Sequence, residues 1–514
     1  MLLLGLGIAV GVMITLLSIG DAVLEQARDK DLVGGGDVVL LPPGIDVEVM
    51  KVGGVTGMYY TLNNARYLYR QVLSGPRFAP LFASVTPEFA DLPLAAASPT
   101  LADKVVYVRK VLASNASEPL QARAHGFIPS LDRAAGGPSS RFPAQGIVWS
   151  DHEGDRLWAD PPVDALYNEL DRFHLPGRTQ ADRDRWGEWL YFNFADSLSD
   201  TYGYVSFIAG SDIEAGAGRA SPLLQIQKPD APPLKYGAEF PLSRDDISLS
   251  HVDLRFGDET TAQFRNGAWR LDMNWNTEDG PVRGALTVTP VRDLYFPPFV
   301  IHESERFVSG YSVPALRAHV TGFISAPGVQ LELQEAVGYH DHNWGTWRNV
   351  HWDWGTSSTE EYALLYGRVL HPELRSGQSL PSVFLMLSKA RTPEERGGLL
   401  GMFRPALISY EWETQDGLPG NPERVPRRIV MSAGRSAAQS PIATSAASDS
   451  IHVVIDVTRV AATPPNADDD NNLVFLQLRG RYQVTAWVGE NRLYFDAAGF
   501  SEVFVPTGAP GFEE

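Results

Sequence analysis

Over much of the last two thirds of the chain, apolar side chains fall on every second position. The run WRLDMNW, Trp269 to Trp275, alternates in this way, as do shorter or longer runs at Leu286 to Val288, Tyr362 to Leu370 and Val474 to Val488. A period of two puts successive side chains on opposite faces of a sheet, so each run predicts a strand with one buried face. Many such runs separated by turn residues predict antiparallel barrels or sandwiches. Helical spacing is rare, and its best example is Val163 to Phe173.

The first twenty residues follow a different rule. Met1 to Gly20 carries no charged side chain. At about 1.5 Å per residue it just spans a bilayer core of about 30 Å, which predicts a membrane helix. Gly7 and Gly11 form a small-xxx-small pair of the kind that lets membrane helices approach. A cleaved signal peptide would instead have a basic start and a small-residue cleavage site, and neither is visible.

Breaker-rich stretches divide the remainder. Val111 to Gln145, rich in Ala, Ser, Pro and Gly, reads as a linker. Gln415 to Ser450 reads as a long surface loop, and Thr463 to Asn472 as an extended hairpin connection. The expected division is a membrane helix over 1–20, an extracytoplasmic α/β segment over 21–110, a linker over 111–145, and two β domains over 146–300 and 301–508.

A chain of 514 residues with 44% hydrophobic and 20% charged positions is globular and needs more than one core. Its net charge of −19 opposes binding to nucleic-acid phosphates. With no cysteine, disulfides, thiolate nucleophiles and thiolate metal sites are excluded, while the compartment stays open. There is no Walker A loop. Glu360-Glu361 and Asp468 to Asp470 read as solvated charge runs. Of the twelve Trp, four (Trp344, Trp347, Trp352 and Trp354) lie in one short run.

Two sets of residues resemble known families. The order from LGLGIAVGVMITLLSIG through GGGDVVLLPPG resembles the first membrane helix and external domain of FtsX/MacB-type ABC transporter permeases. That likeness implies a membrane anchor with the rest of the chain extracytoplasmic, and ABC transporter subunits as partners. No second charge-free stretch of spanning length follows, so the chain is not a complete permease.

The segment Gly187-Glu188-Trp189-Leu190-Tyr191-Phe192, followed by the run Gly203 to Ile208, resembles the opening strand of the carotenoid 1,2-hydratase (hydroxyneurosporene synthase) and AttH-like family. Leu190 replaces the second Trp of that pattern. Gly310 to Pro314, then Gly338-Tyr339-His340-Asp341-His342-Asn343-Trp344-Gly345, then Trp352-Asp353-Trp354-Gly355, resemble the second-domain signature of the same family. The likeness implies a mainly β chain with two consecutive antiparallel lipocalin-like β-barrels between about Gly146 and Phe504. It also implies that Asp341 and His342 lie at the inter-domain region and are implicated in protonating a carbon-carbon double bond.

The residue chemistry can be weighed separately. In a strand, His340 and His342 share one face and Tyr339 and Asp341 the other. Double-bond protonation needs a buried acid, aromatic faces to stabilise a cation, and a water. Asp341 fits the acid, with His342 orienting it, Tyr339 and His340 beside it, and Trp344, Trp347, Trp352 and Trp354 lining the path. Trp189 and Glu188 are candidates for the barrel interior. Alternatively, Asp341 and His342 only tie the junction by hydrogen bonds. An H-x-H pair with His351 and Asp353 offers cation ligands, but the resemblance implies no metal or other cofactor.

Two functions are consistent with these residues. One is a membrane-anchored lipocalin-like protein that holds an apolar small molecule, such as an isoprenoid, lipid or polyene, in concert with an ABC exporter. The alternative is a hydratase, isomerase or cyclase that acts on an isoprenoid or polyene by protonation.

Overall fold

The computed structural model of the protein describes residues 66–67, 100–108, 120–127, 161–176, 183–229, 231–257, 259–304, 307–346, 351–370, 383–393, 397–434, 449–463 and 473–506. The expected membrane helix over 1–20 and Trp347 lie outside these residues. Among the described residues, no helix is long and apolar enough to cross a membrane. The chain divides into two compact units, Met1–Ser74 with Phe78–Pro161, and Gly75–Arg77 with Pro162–Glu514.

Within the first unit, β1 (Thr100–Val108) pairs antiparallel with β2 (Leu120–Phe127). β2 falls inside the stretch expected to be a linker. Its sequence, LQARAHGF, has no β-branched residue, and the ladder to the Val-rich β1 supplies the partner that local propensity did not reveal.

The second unit is mainly β, with two large antiparallel sheets. It opens with one short helix, α1 (Val163–Leu170), on the segment where helical spacing was strongest. Leu166, Tyr167 and Leu170 form its buried stripe, and Tyr167 stacks on Phe264 at 5.1 Å. The Asp164 carboxylate accepts the backbone N–H groups of Asn266 and Gly267 at 2.9 and 2.7 Å, tying the helix start to a tight turn.

The first sheet is twelve-stranded. Its central strands are β3 (Trp186–Asp196), β4 (Thr201–Gly210), β5 (Arg219–Gln227), β10 (Ala268–Thr277), β11 (Gly280–Pro290), β13 (Phe307–Ala326) and β14 (Val329–Thr346). The edges are the four-residue strands β6 (Leu234–Gly237) and β8 (Asp253–Phe256), with β9 (Thr260–Arg265) next to β8. Two more strands flank the path: β7 (Phe240–Pro241) pairs with β5, and β12 (Phe296–Ser304) pairs with β13. The order runs β6-β5-β4-β3-β14-β13-β11-β10-β9-β8. The expectation of a first closed barrel is therefore corrected to an open sheet. The short edge strands form no ladder with each other among the described residues, and α1 packs against β9 and β13.

The second sheet is a closed eight-stranded barrel. It comprises β15 (His351–Ser358), β16 (Tyr362–Leu370), β17 (Val383–Lys389), β18 (Gly398–Glu413), β19 (Val425–Gly434), β20 (Ser450–Thr463), β21 (Leu473–Val488) and β22 (Asn491–Pro506). β19 lies inside the stretch expected to be a surface loop. The Pro- and Gly-rich flanks hid its alternation, in which Val425, Ile429 and Met431 are buried. Residues 301–346, assigned by sequence to the second domain, belong to the first sheet through β12, β13 and β14. β20 and β21 pair across the expected hairpin connection.

Alternate residues of β16 to β22, among them Leu364, Leu385, Phe403, Ile455, Tyr482 and Val484, form one buried cluster that fills the barrel. Leu365, Met386 and Phe500, on the same strands, instead pack against Tyr191, Tyr202 and Tyr339 of the first sheet. The barrel thus buries two faces along β16, β17 and β22.

β3, β13 and β14 are adjacent, so the three segments singled out in the sequence lie side by side. Trp344 opposes Glu188 on β3 and Gly310 on β13, and Asp341 opposes Tyr191. A Cβ at Gly310 would run into the indole of Trp344, and Gly345 has φ +144 with Val308 backbone against it. Gly310→Val is therefore expected to displace Trp344 and lower unfolding free energy by about 1–3 kcal/mol, read from the urea midpoint.

Candidate functional site

The alternation along β14 separates the predicted site residues into two clusters on opposite faces. Tyr339, Asp341 and Asn343 face the barrel, while His340, His342 and Trp344 face α1. The expected Asp341-His342 partnership is corrected by this geometry, because both ring nitrogens of His342 bond elsewhere.

On the α1 side, Asp171 is the hub. It caps the C-terminus of α1, donating its backbone N–H to Tyr167 O at 3.1 Å. Its carboxylate meets Trp269 Nε1 at 2.7 Å, His340 Nε2 at 2.9 Å and His342 Nδ1 at 2.9 Å. His340 Nδ1 lies 3.0 Å from the Tyr191 carbonyl and donates to it, and its ring stacks on Phe192 at 3.8 Å. His342 Nε2 is 2.7 Å from Glu188 Oε1. Glu188 also accepts the backbone N–H of His174 at 2.8 Å and faces His174 Nδ1 at 3.0 Å. The His174 ring stacks on Trp344 at 3.8 Å, so Trp344 belongs to this cluster and not to the path toward the barrel.

Burial opposes charge here and the pairing outweighs it. Burial raises the Asp171 carboxyl, but His340 and His342 together bring it down to about 2. Burial lowers the His342 imidazolium, yet the bonds to Asp171 and Glu188 lift it to about 9. Among the described residues, His174, Glu188 and His342 present ligand atoms within 4.8 Å of one another and could hold a cation. As placed, His342 Nε2 and His174 Nδ1 both engage Glu188 Oε1, so a metal would have to break those bonds. His351 and Asp353 take no part: the first packs on Phe504 at 5.1 Å and the second pairs with Arg368.

On the barrel side, Asp341 is 6% exposed. It accepts Tyr339 O–H at 2.9 Å and Asn343 Nδ2 at 3.2 Å. Tyr339 Oη lies 2.9 Å from Tyr311 Oη, which accepts Trp354 Nε1 at 2.9 Å. Trp354 packs on Tyr339 at 5.1 Å, and Trp352 lies 6.2 Å from Trp189. Burial pushes the Asp341 carboxyl well above the usual carboxylate range; the Tyr339 bond and His342 oppose this, while the charges of Glu502 and Asp171 add to it. Trp189, Tyr311, Asn343 and Trp352 are only partly buried, so this cluster reaches solvent along one edge.

The sequence did not single out Asp171, His174, Tyr191 or Glu502. Asp171 and His174 sit in an ordinary helix exit, Tyr191 stood only within a quoted motif, and Glu502 lies on a strand of unremarkable alternation. Two open surface grooves, lined by Gly237–Phe240 with Asn274–Glu278 and by Thr414–Arg424, contain none of these groups.

No family model matches the sequence, and no curated protein matches it. Among solved structures it is similar to a candidate AttH from Nitrosomonas europaea, with 12% identity over 66% of this chain and 98% of that one and a TM-score of 0.39. It is also similar to CghA in a structure with Sch210972, with 13% identity over 66% and 98% of the two chains and a TM-score of 0.43. A third likeness is to kievitone hydratase from Nectria haematococca, with 10% identity over 66% and 98% and a TM-score of 0.39.

Because Asp171 ties two buried imidazoles, Asp171→Asn is expected to cost about 3–5 kcal/mol of unfolding free energy. For the wild type, the His342 contribution is complete below its unfolded value of 6.5 and is lost as pH rises through about 9. The Asp171 contribution is complete above 3.8 and is lost as pH falls through about 2. These two groups alone would leave urea midpoints flat from about pH 4 to 6.5; the raised carboxyls of Asp341 and Glu502 add a decline that begins near their unfolded values, so the share of His342 is read as the reduction of the decline toward pH 9 in His342→Gln.

Proposed function

We propose that the face of β14 toward the barrel is an acid site that protonates a carbon-carbon double bond of an apolar, isoprenoid or polyene substrate, making the protein a hydratase, isomerase or cyclase. The observation that carries this reading is Asp341 itself: a carboxyl buried among aromatic rings, which burial pushes well above the usual carboxylate range. A neutral carboxylic acid in an apolar setting can give its proton to carbon, a transfer that an ionised one cannot make. The indole of Trp354 and the rings of Tyr311 and Tyr339 surround it with π faces that stabilise a developing cation.

Holding an apolar ligand without converting it, the other function read from the sequence, was expected to use the space inside a barrel. The interior of the second barrel is occupied by its own side chains, which favours the junction as the place for a substrate. Tyr339 donates its O–H to Asp341 at 2.9 Å. His340, His342 and Glu188 act from behind the strand, by fixing β14 against α1.

Asp341→Asn keeps the shape of the site and removes the proton. Incubated with an acyclic isoprenoid polyene in D2O, it is expected to incorporate deuterium at least about 100-fold more slowly than the wild type. Wild-type activity should fall as pH rises and Asp341 ionises, at a pH above the ordinary carboxylate range. If the wild type retains the polyene without any deuterium incorporation, the site binds and does not catalyse.

A further inference from the structure

We propose that Glu502, on the last strand of the barrel, is a catalytic base opposite Asp341, taking the proton of the water that adds to the cation. This rests on the reading of Asp341 as the acid. Glu502 sits across the junction: its carboxylate accepts Trp352 Nε1 at 2.9 Å and Gln477 Nε2 at 3.5 Å. Gln477 Oε1 in turn accepts Gln225 Nε2 at 2.7 Å, and Gln225 Oε1 accepts Tyr204 O–H at 3.3 Å. This relay of neutral amides runs from the first sheet to the barrel and fixes the carboxylate with donors that do not neutralise it.

The charged and titratable groups facing Glu502 come from both sheets. Its charge bears on Asp341 of β14, on Tyr311 of β13, and on Tyr191, Tyr202 and Tyr204 of β3 and β4, raising each of them. From the barrel, Arg479 lies over the Tyr202 ring, 5.1 Å from its centroid. Burial lifts the Glu502 carboxyl to about 7, held back by the bonds from Trp352 and Gln477, whereas Asp341 stands well above the carboxylate range. As pH rises Glu502 therefore ionises at the lower pH of the two, which is the order a base and an acid require. Glu502 is only partly buried, so water can reach the barrel side of the site.

The steps balance. The Asp341 O–H bond breaks as a C–H bond forms at one alkene carbon, leaving a carbocation and the Asp341 carboxylate. Water forms a C–O bond to the cation and gives one proton to the Glu502 carboxylate. Transfer of that proton from Glu502 to Asp341 restores the starting state, and the sum is addition of one water to one double bond.

Two measurements on the full chain test this. In the first, infrared difference spectra are followed with pH for wild type, Glu502→Gln and Asp341→Asn without any substrate. One protonated-carboxyl band should disappear with a midpoint near 7 and be absent in Glu502→Gln. A second band should persist to higher pH and be absent in Asp341→Asn. If no band near 7 is missing from Glu502→Gln, the assignment of the base is overturned; if Asp341→Asn lacks no persistent band, the acid reading fails instead. In the second, squalene is incubated in H2(18)O and in D2O. Glu502→Gln should lose 18O incorporation about 100-fold and its acidic pH limb while still incorporating deuterium, with partial recovery in Glu502→Asp. Wild-type 18O incorporation in Glu502→Gln would overturn the proposal, and loss of deuterium incorporation in the wild type would count against the acid reading.

Discussion

The site depends on the antiparallel ladder between β3 and β14. Pairing two strands distant in sequence fixes which residues stand opposite one another, and the period of two then assigns each side chain to a face. Asp341 opposes Tyr191 and Trp344 opposes Glu188. A slip by one residue would send the aspartate to α1 and the histidines to the barrel, so register and chemistry are a single property here. Gly310 and Gly345 protect that register by leaving room where a side chain would collide with Trp344 or Val308.

The two faces of β14 use burial in opposite ways. Toward α1, Asp171 and His342 are withdrawn from water with partners of opposite charge, and the pairing holds both in their charged forms. Such a cluster stiffens the strand, because removing one member leaves another charge buried alone. Toward the barrel, Asp341 is met by a phenol and an amide, neither of which offsets a negative charge fully. Desolvation then wins and pushes the carboxyl well above the usual carboxylate range. One strand thereby carries a charged, paired cluster on one side and a desolvated carboxyl on the other.

The barrel contributes a wall to this site. Its interior is filled from β16 to β22, while Trp352, Trp354, Phe500 and Glu502 project from β15 and β22 toward the first sheet. Packing one closed sheet against an open one creates an aromatic seam that neither possesses alone, and polar groups in that seam are desolvated by the contact itself. The Gln225-Gln477 bond across it links the two sheets through uncharged partners, leaving both carboxyls without a neutralising cation from that bridge.

Strand chemistry was legible in the local pattern of residues. Twofold alternation marked β10, β16 and β21, helical spacing marked α1, and residue type with alternation placed Asp341 with Tyr339 and His340 with His342, because these are local properties of a pleated chain. What those side chains meet was set by packing between distant segments. That Asp171 and His174 engage the histidines, that Trp344 turns away from the barrel, that the first sheet stays open, and that Glu502 faces the same seam as Asp341 all follow from contacts between residues far apart in the chain. Local patterning carries no record of such partners, and desolvation, which sets the protonation of each carboxyl, exists only once the two sheets have closed over them.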